Sequence, residues 1–152
     1  MFDQTEKQKM LNGELYRPSD RLLIEERKRA RRLLKAFNDG LPDETEKRSA
    51  ILKELLGAPG SNLYIEPAFY CDYGYNMLVG DNFYANFNCI VLDCAQVIMG
   101  HNVFLGPAVQ IYTPMHPFNG ELRRTQEYGK PVEIGSDVWV GGGALILPGV
   151  RI

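Results

Sequence analysis

The sequence predicts an all-β main domain, a parallel β-coil of hexapeptide repeats, carried behind an N-terminal helical segment. Three observations predict it. Apolar residues return at every sixth position in a phase that holds from Ile65 to Val150. The six-residue units group in threes, and the step between groups widens from six to eight, as from Val91 to Met99. Before about residue 60 this period is absent, and helical spacing with capping residues takes its place.

The chain divides at that change, into residues 1–60 and residues 61–152. In the first part, Ser19 or Asp20 can cap a helix running through RLLIEERKRARRLLKAF, with Ala30, Leu33, Leu34 and Phe37 on one face. Asn38, Asp39 and Gly40 stop it. A second helix follows Leu41-Pro42, with Asp43 and Glu46 spaced as a capping box. Its apolar face is Ile51, Leu52, Leu55 and Leu56, and Gly57 closes it. Two short amphipathic helices cannot hold a core alone, so they are expected to pack on the coil. The stretch from Arg17 to Lys35 carries eight Lys or Arg against three acids. A solvated helix face is the better reading of it than a phosphate- or nucleic-acid-binding one.

In the second part the first positions of successive hexads are Val79, Ala85, Val91, Met99, Leu105, Ile111, Ile134, Val140 and Ile146. The fifth positions are Phe83, Cys89, Ala95, Val103, Val109, Met115, Val138, Ala144 and Val150. Three hexads make one turn of a triangular coil, and stacked turns bury these two positions along a central axis. Spacing extends the pattern back by one coil, to near Ile65. Gly80, Gly100 and Gly135 sit at one place in each coil, where a permissive backbone is expected. The period leaves the hand of the coil open, and parallel connections are generally right-handed. From Ile111 to Ile134 the step is 23 residues, so a loop at 117–133 leaves the scaffold beside His116.

Composition narrows the function. A net charge of −2 gives no bias toward nucleic acid or an anionic membrane. No apolar run is long enough to span a bilayer, and the polar N-terminus lacks a signal-peptide core, so a cytoplasmic protein is expected. Cys71, Cys89 and Cys94 lack metal-ligand spacing and read as reduced thiols. With two histidines, no metal is expected, and a histidine-ligated carbonic anhydrase on this scaffold is close to excluded. His101 occupies the corner held by Asp81 and Ser136 in sister coils, and reads as a solvated residue. His116 ends a regular coil at the start of the loop, and a neutral imidazole there suits general-base work.

Several strings sharpen this: GELYR at 13–17, IEPAFYCDYGYN at 65–76, NFYANFN at 82–88, Leu92-Asp93, IYTPMHP at 111–117, GKPVEIG at 129–135, VWVGG at 138–142 and LPGV at 147–150. Together they resemble the hexapeptide-repeat sugar O-acetyltransferases, most closely the maltose O-acetyltransferases and their galactoside-acetylating relatives. The resemblance implies a left-handed parallel β-helix, a homotrimer with active sites between subunits, acetyl-CoA as donor and a sugar as acceptor. It implies His116 as the catalytic base, with Asn86, Asp93, Asp72 and Arg27 toward the acceptor. Trp139 and Gly142 fall on the coil lining the donor's tunnel. Read from residue type alone, Asn86 and Asp93 could be turn-forming residues, and Trp139 an aromatic at a subunit contact. The family continues beyond LPGV with further coils, whereas this sequence stops at Ile152, an apparent truncation that would leave the donor site incomplete and a β edge unpaired. The expected chemistry is direct acetyl transfer from acetyl-CoA to a sugar hydroxyl. A covalent cysteine route, another hydroxylated acceptor and an inactive trimeric scaffold are the alternatives.

Overall fold

The computed structural model describes residues 4–152. Three helices lead the chain: α1 (Glu6–Leu11), α2 (Arg21–Asn38) and α3 (Thr45–Leu55). A triangular prism of short parallel strands follows. One face stacks β1 (Ala58–Pro59), β4 (Met77–Val79), β7 (Val97–Met99) and β12 (Val132–Ile134). The second stacks β2 (Tyr64–Ile65), β5 (Tyr84–Ala85), β8 (Phe104–Leu105) and β13 (Trp139–Val140). The third stacks β3 (Phe69–Cys71), β6 (Cys89–Leu92), β9 (Gln110–Tyr112) and β14 (Leu145–Ile146). Partners are parallel and in step with the sequence repeat: Tyr64 faces Tyr84, which faces Phe104, which faces Trp139.

All nine first-position residues are buried, as the hexad phase predicts. Fifth positions are buried from Phe83 through Val109, and then become half-exposed or exposed from Met115 to Val150. The inner positions form one continuous core, and Ala30, Leu34 and Phe37 of α2 with Leu52 and Leu55 of α3 join it. Each fully buried aliphatic side chain there stabilises by about 1.5–3 kcal/mol. The helices therefore complete the core at the β2–β3 corner, where Asn38 clamps the Phe69 backbone in both directions (2.9 and 3.0 Å). Arg48 of α3 is buried nearby and donates to the Ile65 carbonyl at 2.8 Å.

Several local expectations are corrected. A third N-terminal helix exists, α1, with a Thr5–Gln8 capping box. Its Met10 packs in a small second core with Tyr16, Leu23, Tyr73 and Cys94. Asp20, rather than Ser19, caps α2, its carboxylate accepting from the Leu22 and Leu23 amides. Asp43 and Glu46 form no capping box, because α3 starts one residue later, behind Glu44. Glu44 instead accepts from the Leu41 amide at 3.0 Å. The coil starts at Ala58, since β1 already pairs with β4. The loop is shorter than 117–133. β10 (Pro114–Met115) and β11 (Tyr128–Gly129) pair antiparallel at its neck, and β12 is back on the prism. A short helix, α4 (Gly120–Arg123), capped by Asn119, lies at its tip.

The corner glycines serve a different purpose from the expected one. Gly80, Gly100 and Gly135 do not adopt positive φ, whereas Asn62, Asn82, Asn102 and Asp137 do, at 52 to 62°. Asn tolerates the left-handed region best among residues with a Cβ. Their side chains form a ladder up the corner, Asn62 to Asn82 at 3.0 Å, Asn82 to Asn102 at 2.9 Å and Asn102 to Asp137 at 2.8 Å. The glycines are needed because the coils touch: a Cβ on Gly80 would lie 2.6 Å from the Gly100 backbone.

Candidate active site

His116 follows β10 directly, so the β10–β11 pairing fixes where it leaves the prism. Its side chain is exposed and borders a cleft of about 350 Å³. Arg27, Asp72, Tyr73 and Glu127 line the same cleft. Three of the acceptor-side residues expected from the sequence, His116, Arg27 and Asp72, thus meet from positions as far apart as α2 and the loop.

Each wall is held from behind. Arg27 donates to the Tyr73 hydroxyl and to the Pro18 carbonyl, both at 2.6 Å, so its guanidinium is fixed at the cleft edge. Burial raises the Asp72 carboxyl above its usual range, while Arg27 pulls the other way. Glu127 anchors the loop: its backbone exchanges hydrogen bonds with Tyr16 (2.9 and 3.1 Å), and the Tyr16 hydroxyl donates to its carboxylate. Sequence reasoning missed Glu127 and Tyr73. Glu127 has no local signature, because its partner Tyr16 lies 111 residues away.

Asp93 departs from its expected place against the acceptor. It has no exposed surface, and its carboxylate accepts from the amides of Asp72 (3.0 Å), Tyr73 (2.8 Å) and Asn76 (3.3 Å). Asn76 completes the arrangement by donating to the Asp93 carbonyl at 2.7 Å. Burial pushes the Asp93 carboxyl up to about 7, with the backbone amides opposing the shift. Within the subunit it shapes the turn that carries Asp72 and Tyr73.

Asn86, Trp139 and Gly142 fall elsewhere, on a second cleft of about 500 Å³. Asn86 is thereby separated from the acceptor-side group. Its side-chain Oδ1 accepts from the Phe87 amide at 2.8 Å, the turn-forming role its residue type suggests. Tyr84, Phe104 and Trp139 wall this cleft as three consecutive rungs of one face, and Trp139 is 78% exposed. Gly106 and Gly142 form a narrow floor; a Cβ on Gly142 would come within 3.1–3.2 Å of Pro107. The Gly142 amide has no acceptor among the described residues. An exposed apolar slot with a backbone floor fits a long, flexible, largely apolar thioester arm.

The thiols are poor nucleophiles. Cys71, Cys89 and Cys94 are free and buried, and burial raises each of them, Cys94 to about 11. This removes the support for a covalent cysteine route. His101 is exposed at its corner, with Nδ1 accepting from the Asp81 amide at 3.0 Å. No group of three or more potential metal ligands occurs among the described residues. No described helix is long and apolar enough to cross a membrane.

A triangular prism of parallel strands behind a helical cap is the architecture of the hexapeptide-repeat class. The family profile "Maltose acetyltransferase hexapeptide capping motif" matches residues 9–60. Nodulation protein L of Rhizobium meliloti is 46% identical over 148 residues, covering 97% of this chain and 81% of that protein. The crystal structure of a maltose O-acetyltransferase from Clostridium difficile 630 superimposes with a TM-score of 0.96 at 49% identity, over 97% of this chain and 80% of that one. A galactoside acetyltransferase in complex with coenzyme A gives 0.93 at 37% identity, over 98% and 75%. The chain belongs to the hexapeptide-repeat O-acetyltransferase family that includes the maltose and galactoside acetyltransferases. Its coil is the left-handed parallel β-helix of that family.

Proposed function

We propose that this protein transfers acetyl from acetyl-CoA to a hydroxyl of a glucose- or maltose-type sugar, acting as a cytoplasmic homotrimer with His116 as general base. The observation that carries the reading is the convergence of His116, Arg27 and Asp72 on one cleft. His116 takes the proton of the sugar hydroxyl as that oxygen attacks the thioester carbonyl, and returns it to the departing thiolate. Asp72 accepts from neighbouring sugar hydroxyls, and Arg27 donates to ring or linkage oxygens. Asp93 acts through the turn it holds. The aromatic cleft with Trp139 and Gly142 takes the donor, and the Gly142 amide, which has no acceptor among the described residues, donates to the carbonyl oxygen as charge develops there.

Each subunit offers the two clefts on separate flanks. The trimer reading joins the His116 cleft of one subunit to the aromatic cleft of the next, a heterologous head-to-tail contact that closes into a ring. The test is acetyl-CoA-dependent thiol release with glucose, maltose and a galactoside, on the wild type and on His116→Ala. Sugar-dependent release that falls at least about 100-fold in kcat in a folded mutant supports the reading. Equal rates in the two proteins, or release indifferent to sugar, would overturn it.

A further inference from the structure

A larger groove of about 510 Å³ opens from the His116 cleft along α2 and β3. The two share Arg31, Asp72 and Leu92, so they form one continuous trough. Its base is apolar and fixed, made by buried Leu34 and Cys71. Its rim is rigid, because Asn38 at the end of α2 is hydrogen-bonded both ways to the Phe69 backbone of β3. Strand alternation in β3 turns Phe69 and Cys71 inward and Tyr70 outward, where it is 51% exposed. The Tyr70 hydroxyl and the Arg31 guanidinium have no hydrogen-bond partner among the described residues.

These parts match the chemistry of one ligand class. A sugar ring has an apolar face that stacks on an aromatic side chain and a polar edge that needs donors and acceptors. Tyr70 offers the platform, and Arg31 and Asp72 offer a donor and an acceptor at the junction. Charge here balances: Lys35 pairs with Asp39 at 2.6 Å, and Arg31 acts on Asp72. That balance favours a neutral glycan over a phosphorylated one.

We propose that the groove is a second glycosyl subsite, with Tyr70 as its stacking platform, so that the preferred acceptor is an oligosaccharide of at least two units. This rests on the sugar-transferase reading above. The unit in the His116 cleft is acetylated, its neighbour lies on Tyr70, and Arg31 and Asp72 flank the linkage.

The test compares kcat/KM for glucose, maltose and maltotriose, and for galactose and lactose, in the wild type, Tyr70→Ala and Tyr70→Phe. Tyr70 is exposed, so neither change disturbs the core. The wild type should prefer a disaccharide to its monosaccharide, and Tyr70→Ala should lower only the longer acceptors, by roughly three- to tenfold and mainly through KM. Tyr70→Phe should retain most of the preference. Calorimetric titration with maltotriose, without donor, reads the same subsite independently of transfer. No gain with length, or equal losses for short and long acceptors in Tyr70→Ala, overturns the subsite while leaving the transferase intact. If no sugar supports transfer, Tyr70-dependent maltotriose binding sustains the subsite alone and its absence removes it.

Discussion

Asp93 illustrates how one residue type in one string can hold two meanings. Leu92-Asp93 resembles an acceptor-facing position, yet the carboxylate is spent on the backbone amides of residues 72, 73 and 76. Burial raises this carboxyl from 3.8 to about 7. Between those values the folded protein holds a proton that the unfolded chain has released. The group's stabilising contribution is therefore complete below about pH 4 and is lost as pH rises through about 7. Urea unfolding of the wild type and Asp93→Asn should diverge over that window, the wild type losing stability relative to the mutant. Parallel profiles would show that the carboxyl titrates in its ordinary range. At the same scale, His116 stands out in the sequence because the repeat disposes of His101 as a corner residue. Glu127 was not legible, because only the folded chain brings it to Tyr16.

The coil corner shows what an element demands beyond its period. Gly80 is surrounded by the backbone of the next coil, 2.6 Å from a Cβ placed on it, whereas a Cβ on Gly141 meets nothing within 4 Å. Gly80→Ala must push two coils apart, and should cost about 1–3 kcal/mol in chemical denaturation. Gly141→Ala should be neutral within about 0.5 kcal/mol. Equal effects would mean that corner glycines matter through chain entropy alone. The period located these glycines in the sequence but misassigned their purpose, since the positive φ belongs to Asn82, Asn102 and Asp137, two residues on. The α1 capping box, Thr5 with Gln8, was written locally and could have been read. Gly57 offered a helix stop but does not take positive φ, and Leu56 ends the helix by turning extended.

At the scale of the whole molecule, the candidate residues fall into two clefts, one holding His116 and the other Trp139. If each active site joins the two across a subunit boundary, defects in different clefts should complement. His116→Ala and Trp139→Ala proteins, each impaired alone, should recover about a quarter of wild-type activity when unfolded and refolded together in equal amounts. Recovery no greater than the sum of the separate mutants would confine the site to one subunit.

The sequence by itself determined the coil, its first-position core, the interruption at His116 and the two principal helices. Those features depend on side chains that repeat at short, regular intervals, so the hydrophobic effect writes them into the period. The tertiary structure decided which candidates meet. Arg27, Asp72 and His116 converge, Asn86 stands apart with Trp139, and Asp93 turns inward. Such neighbours lie tens of residues apart along the chain, and their contacts depend on coil stacking and on the helices closing the prism. No local spacing encodes those distances.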